Sequence, residues 1–265
     1  MRICTYIKRN IKNNISFGVF ILKRKRGLII LTIIISLIGI IVGCLCIYVN
    51  IYYKADSEAL DSLNSTDDVI VNNNDNYISF IPNDTYNDVI VFYQGAKVEV
   101  EAYAPLLKLL AQNNIACYAI KTTFRLSFFD VDKFSDIYNN ENNENIDYYV
   151  MGHSLGGVIA SISAKKYNSI CNGIILLASY LNSDISDTTL KVLSIYGSND
   201  EILNMDKYEE NKKYAPEIFI ERRIDGGIHS YFGSYGIQNK DGKPYIEKSF
   251  QIEKTKEYIL EFINN

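Results

Sequence analysis

The run Gly152-His153-Ser154-Leu155-Gly156-Gly157 has the form Gly-x-Ser-x-Gly, the spacing that lifts a serine hydroxyl clear of the backbone on a sharp turn. Glycines two residues to either side let a strand and a following helix approach where a Cβ would clash. Residues 146–151 (IDYYVM), rich in β-branched and aromatic side chains, read as a buried strand before the turn. From Val158, VIASISAKKY continues with small and apolar residues at helical spacing and ends in Lys165 and Lys166. Ser154 is therefore a candidate nucleophile for attack on an acyl carbon.

Serine attacks poorly at neutral pH until a base takes its proton, and the usual base is a histidine oriented by a carboxylate. The chain has two histidines. His153 stands on the turn itself, where its side chain is expected to point away from the Ser154 hydroxyl and to serve packing. His229, in the late glycine-containing loop Asp225-Gly226-Gly227-Ile228-His229-Ser230, is the candidate base. The acid should follow a strand between them. Residues 190–196 (LKVLSIY) supply that strand, and Asp200 lies just past its carboxyl end, the edge at which sites of open α/β sheets form. Asp184, Asp187, Glu201, Asp206 and Asp225 compete with it, but a carboxylate on a turn or first helical turn is favoured for local reasons alone.

Acyl transfer also needs donors for an oxyanion. One is expected from the backbone N–H of Leu155, next to the nucleophile. The other is expected from the loop after the strand at 87–93 (NDVIVFY), at Ala96, with Gln94 or Gly95 as near alternatives.

From Tyr52 onward the chain resembles the compact, often membrane-anchored α/β-hydrolases of Gram-positive bacteria grouped as the α/β-hydrolase fold-5 type. The segments that carry the resemblance are YYKADSEALDSL (52–63), VFYQGAKVEVEAYAPLLKLLA (91–111), MGHSLGG (151–157), LKVLSIYGSND (190–200) and GGIHSYFGSYGIQNKDG (226–242). It implies the triad Ser154, Asp200 and His229 that the residues had suggested. It also implies that Tyr231, Phe232, Gly233, Tyr235, Gly236 and Gln238 shape the histidine loop. Met151 and Ile228 depart from the pattern, standing where such sequences often carry a small and a polar residue, and neither removes a catalytic atom.

At the other end, Gly27 to Tyr53 contains no charged residue, and residues 28–49 are apolar enough to span a bilayer of about 30 Å as a helix. Residues 1–26 hold eight Lys or Arg and no acid, which predicts a cytoplasmic N-terminus and a domain outside the cell membrane. A cleaved signal is disfavoured by the long apolar run and its bulky end at Ile51, Tyr52 and Tyr53. A lipobox at Ile41-Val42-Gly43-Cys44 is disfavoured by the apolar residues that follow. Beyond the tail, 19 basic residues face 31 acidic ones, a net −12 that argues against nucleic acid or anionic lipid headgroups as partners of the domain.

Five cysteines make no disulfide framework: Cys4 is in the tail, Cys44 and Cys46 are in the span, and Cys117 and Cys171 read as small buried hydrophobes. With both histidines committed, no metal site is expected and no cofactor is implied. The expected organisation is a basic tail (1–26), a transmembrane helix (27–50), a linker (51–67) and a domain (68–265). In the domain, strands at 68–71, 77–81, 87–93, 115–120, 146–151, 173–178, 190–196 and 216–222 precede a closing helix at 250–262. Strand alternating with helix predicts an α/β fold with a mostly parallel, doubly wound sheet. About a dozen residues between Ala178 and Leu190 leave no room for a cap domain. The cleft should be open, bordered by Gln94, Phe124, Phe128, Phe129 and Tyr180. These features point to a membrane-anchored serine hydrolase acting on a small-molecule ester. Acyl transfer, thioester or amide cleavage, and a non-catalytic binding domain are the alternatives, and the oligomeric state is not legible.

Overall fold

The computed structural model describes residues 30–141 and 145–265. The basic tail and the centre of the asparagine-rich stretch 139–145 lie outside the described residues. The chain divides into two compact units, Met1–Ile51 and Tyr52–Asn265. The described part of the first is the helix α1 (Ile30–Asn50), 21 residues with a mean hydropathy of 3.0, long and apolar enough to cross a membrane.

The second unit is built on eight strands: β1 (Val69–Asn73), β2 (Tyr77–Pro82), β3 (Asp88–Tyr93), β4 (Ile115–Ile120), β5 (Asp147–His153), β6 (Gly173–Leu177), β7 (Lys191–Gly197) and β8 (Ile218–Ile224). They form one sheet in the order β1-β2-β4-β3-β5-β6-β7-β8. The β1–β2 and β2–β4 pairs are antiparallel, and every pair from β4 through β8 is parallel. The helices are α2 (Ser57–Asp61), α3 (Ala104–Ala111), α4 (Lys133–Glu141), α5 (Leu155–Lys166), α6 (Met205–Asn211) and α7 (Lys248–Ile263). Asn139 and Asn140 belong to the last turn of α4.

The central strands read as unbroken apolar runs because both faces are covered. Val89, Val91 and Tyr93 of β3, Tyr148 and Val150 of β5, and Ile174 and Leu176 of β6 join one core with Phe134 of α4 and Ile159 of α5. The intervening Ile90, Phe92, Tyr149, Met151, Ile175 and Leu177 join the opposite core with α3 and α7. Residues 178–190, between β6 and β7, form no helix or strand, so no cap is inserted there.

The stretch expected as a linker is packed into the domain from Tyr52 onward. Tyr53 bridges Val98, donating to Lys97 O at 2.7 Å and accepting from Glu99 N at 3.0 Å. Ala59 of α2 is fully buried, and Lys248 of α7 pairs with Asp56 and Glu58.

Candidate active site

Strand β5 runs two residues past the expected end, so Ser154 sits directly at its carboxyl edge and α5 begins at Leu155. The turn is sharp: Ser154 has φ 53° and ψ −122°, a left-handed conformation that side chains rarely adopt and that persists where the surroundings impose it. Here they do. A Cβ on Gly152 would lie 2.2 Å from the Gly156 backbone, and one on Gly156 would lie 2.1 Å from Tyr93 O. Ser154 N donates to Leu177 O at 2.9 Å and Ser154 O accepts from Ser179 Oγ at 2.7 Å, fixing the elbow to β6 and the loop after it.

His229 Nδ1 and Asp200 Oδ2 are 2.8 Å apart, with side chains 2% and 1% exposed. The ionised carboxylate only accepts, so the imidazole proton is assigned to Nδ1 and Nε2 carries the lone pair. Asp200 Oδ1 accepts from Ile202 N and Leu203 N, each at 2.8 Å, which fixes the carboxylate from its other side. None of the competing acids stands on the histidine: Asp225 is exposed and paired with Arg223, Asp184 accepts from Ser186 N and Oγ, and Asp187, Glu201 and Asp206 are exposed.

His229 Nε2 is buried and has no hydrogen-bond partner among the described residues. The residue lines a cavity of about 230 Å³ together with Ser154, Leu155, Val158, Ser179, Tyr180 and Leu203. Ser154, His229 and Leu155, the candidate nucleophile, base and first oxyanion donor, thus converge on one space. Gly95 drops out as the second donor because its N–H is spent on Tyr103 Oη at 3.1 Å. Gln94 turns its side chain inward, 1% exposed, and donates from Nε2 to Val98 O at 2.8 Å, which shapes the loop that carries Ala96.

Of the residues expected to border the cleft, Tyr180 lines it. Phe124 and Gln94 line a separate cavity of about 350 Å³ with Glu99, Lys121 and Arg125. Phe128 and Phe129 line neither cavity and stand in solvent. Ser127, buried between them and Arg125, binds Gln94 O at 3.1 Å and turns the flanking phenylalanines outward.

Three supporting residues escape sequence reasoning. Tyr103 Oη accepts from Gly95 N and donates to His153 Nδ1 at 2.8 Å, and His153 Nε2 donates to His229 O at 3.1 Å. One buried chain therefore ties the Ala96 loop, the elbow and the histidine loop. Burial first, then the neighbouring His229 ring, holds the His153 imidazole well below its usual pKa of 6.5, as a neutral relay requires. Asp241 accepts from Ser230 N at 2.8 Å, Ser230 Oγ at 2.6 Å and His229 N at 3.3 Å. Gln251 of α7 clamps Ile228 through both amide atoms, at 3.0 and 2.8 Å. Phe232 and Tyr235 of the histidine loop are buried, and Gly236 takes φ 83°.

The model of the Alpha/beta hydrolase family matches residues 89–253, more than half of the chain. Among solved structures, the chain is similar to Est1E from Butyrivibrio proteoclasticus with bound ferulic acid, at 14% identity and a TM-score of 0.55, over 76% of this chain and 98% of that one. It is similar to dienelactone hydrolase from Anabaena variabilis at 13% identity and a TM-score of 0.52, over 70% and 91% of the two chains. The Francisella virulence factor BioJ superposes at a TM-score of 0.57 with 15% identity, over 77% of this chain and 88% of that one. No curated protein sequence matches the chain.

Proposed function

The chain belongs to the alpha/beta hydrolase family, and from that premise we propose that it is a membrane-anchored, extracytoplasmic serine hydrolase that cleaves an ester. Ser154 Oγ attacks the acyl carbon while His229 Nε2 takes its proton. Asp200 keeps the imidazole in the tautomer and orientation that the transfer needs and steadies the imidazolium that forms. The N–H groups of Leu155, at the start of α5, and Ala96 receive the oxyanion. His229 then protonates the leaving alcohol, and water, deprotonated by the same nitrogen, releases the acid from Ser154. The observation that carries this reading is the buried 2.8 Å pairing of His229 Nδ1 with Asp200, which leaves Nε2 unpartnered on the cavity that Ser154 lines. Est1E, whose structure holds ferulic acid, and the dienelactone hydrolase among its structural neighbours agree with it. The anchor is α1, oriented by the basic residues that precede it.

The test is labelling of the full chain in membranes with a fluorophosphonate probe, comparing the wild type with Ser154→Ala, His229→Ala and Asp200→Asn. Labelling is expected in the wild type, absent without Ser154, and slowed by about 10⁴-fold when the histidine loses its acid. A folded chain that never labels would sink the serine hydrolase reading in favour of a binding role.

A further inference from the structure

The turn segment 123–129 is the place where the domain shows most apolar surface. Phe124, Phe128 and Phe129 are 61%, 56% and 73% exposed, and among the described residues of the domain no other six-residue stretch exposes three large apolar side chains. They are displayed on a fixed platform. Ser127 between them is fully buried on Gln94 O, Thr123 N donates to Asp130 Oδ2 at 2.9 Å, and residues 127–129 pack against α5. Phe124 and Arg125 are both left-handed, φ 55° and 58°, a strain that presents Phe124 outward.

The same segment is tied to the beginning of the domain. The Arg125 guanidinium stacks on the Tyr52 ring at 3.5 Å, Lys97 N donates to Arg125 O at 3.1 Å, and Tyr53 N donates to Lys97 O at 2.7 Å. Only Ile51 separates Tyr52 from Asn50, the last residue of α1. Two residues of chain reach about 7 Å at most, so whatever surface α1 emerges from, Tyr52 and the segment stacked on it stay close to that surface. Phenylalanine side chains on a surface held against a bilayer bury at the boundary of headgroups and acyl chains. Exposed apolar surface of this kind marks an interaction site.

We propose that Phe124, Phe128 and Phe129 dip into the bilayer that holds α1, and that the acyl esters reaching Ser154 are lipids of that bilayer. This rests on the anchored-hydrolase reading above and adds the substrate class. The segment stands beside the catalytic rim, since Ser127 holds the residue that begins the Ala96 loop and its neighbours pack on the helix that starts at Leu155.

The chain has no tryptophan, so Phe129→Trp supplies a sole indole reporter. The full chain carrying it is reconstituted into phosphatidylcholine vesicles with and without brominated acyl chains. A chain carrying Tyr245→Trp, a site 76% exposed elsewhere on the domain, serves as control. Blue-shifted emission that bromolipid quenches at position 129 and leaves at position 245 is expected. Unquenched emission at 129 overturns the proposal, and a blue shift without quenching does so in favour of contact with protein, a second copy included. A chain that fails to float with the vesicles removes the anchored premise itself. In the second arm, Phe128→Ser/Phe129→Ser should lower the rate on vesicle-borne diacylglycerol relative to that on soluble p-nitrophenyl acetate, and an unchanged ratio overturns the lipid assignment. Fluorophosphonate labelling separates the failures. Labelling without quenching defeats the docking alone, whereas quenching without labelling defeats the hydrolase reading and leaves the docking standing.

Discussion

His153 and His229 lie with ring centroids 4.6 Å apart, and the structure gives them different surroundings. His229 faces a carboxylate on one side and the cavity on the other, while His153 is enclosed between Tyr103 Oη and the His229 carbonyl. An imidazole in the unfolded chain titrates near 6.5, and burial, followed by the adjacent His229 ring, holds that of folded His153 well below this. As pH falls through about 6.5 the unfolded chain takes up a proton that the folded chain refuses, so stability is lost by about 1.4 kcal/mol per further pH unit until the folded group protonates. Above that pH the two states bind equally and the contribution is complete. His153→Gln is therefore expected to flatten the fall in unfolding free energy between pH 6.5 and 5 by about one proton's worth. Urea unfolding of the detergent-solubilised chain at a series of pH values measures this, and a slope equal to that of the wild type would show that His153 carries no such proton. The placement of Ser154 on the turn after β5 and the pairing of Asp200 with His229 were legible because each residue stands at a strand end or glycine turn in a recognisable order. The roles of Tyr103, Asp241 and Gln251 were not, because their partners lie 50, 11 and 23 positions away and only folding brings them together.

At the scale of strands and helices, burial on both faces made β3 to β7 readable as apolar runs, and their bounds fall within two residues of those expected. Residues 51–67 read as a linker because the five residues of α2 carry one fully buried side chain, Ala59, and the docking of this stretch depends on distant Lys97, Glu99 and Lys248. The sheet register has an energetic consequence at its amino edge. Asp88 of β3 is the register partner of Asp147 of β5, and burial, then the charge of Asp147, pushes its pKa up to about 6. A carboxyl whose pKa is raised on folding binds its proton more tightly in the folded state. Its effect on stability is absent below about pH 4 and grows into a penalty as pH rises through about 6. Asp88→Asn should relieve that penalty at pH 7, by about 1 kcal/mol once solvent screening of a partly exposed pair is allowed for. That corresponds to about 2–4 °C in melting temperature for a domain of this size. The gain should vanish near pH 4, and thermal melts at the two pH values decide it, since equal shifts at both would assign the effect to something other than charge.

Across the whole molecule the charge is sharply divided: eight basic residues and no acid in 1–26, then 19 basic against 31 acidic residues beyond. Lys and Arg close to the start of an apolar span hold that end in the cytoplasm, whereas acidic residues contribute little to orientation and do not hinder export of the domain that follows. The expected arrangement puts Tyr52–Asn265, and with it the cavity of Ser154 and His229, on the outer side. Proteinase K added to intact cells should then destroy an epitope at the C-terminus while an N-terminal tag inside the cell survives, and both should be cut once the cells are lysed. Survival of both in intact cells would place the domain inside and overturn the extracytoplasmic reading, although the proposed triad would be untouched by it. The orientation bears on the chemistry because no cap is inserted between β6 and β7 to exclude competing compounds. On the proposed reading of an anchored hydrolase with an open cleft, selection among esters would fall to what the cavity wall at Tyr180, Val158 and Leu203 accepts and to what the outer surface of the bilayer presents.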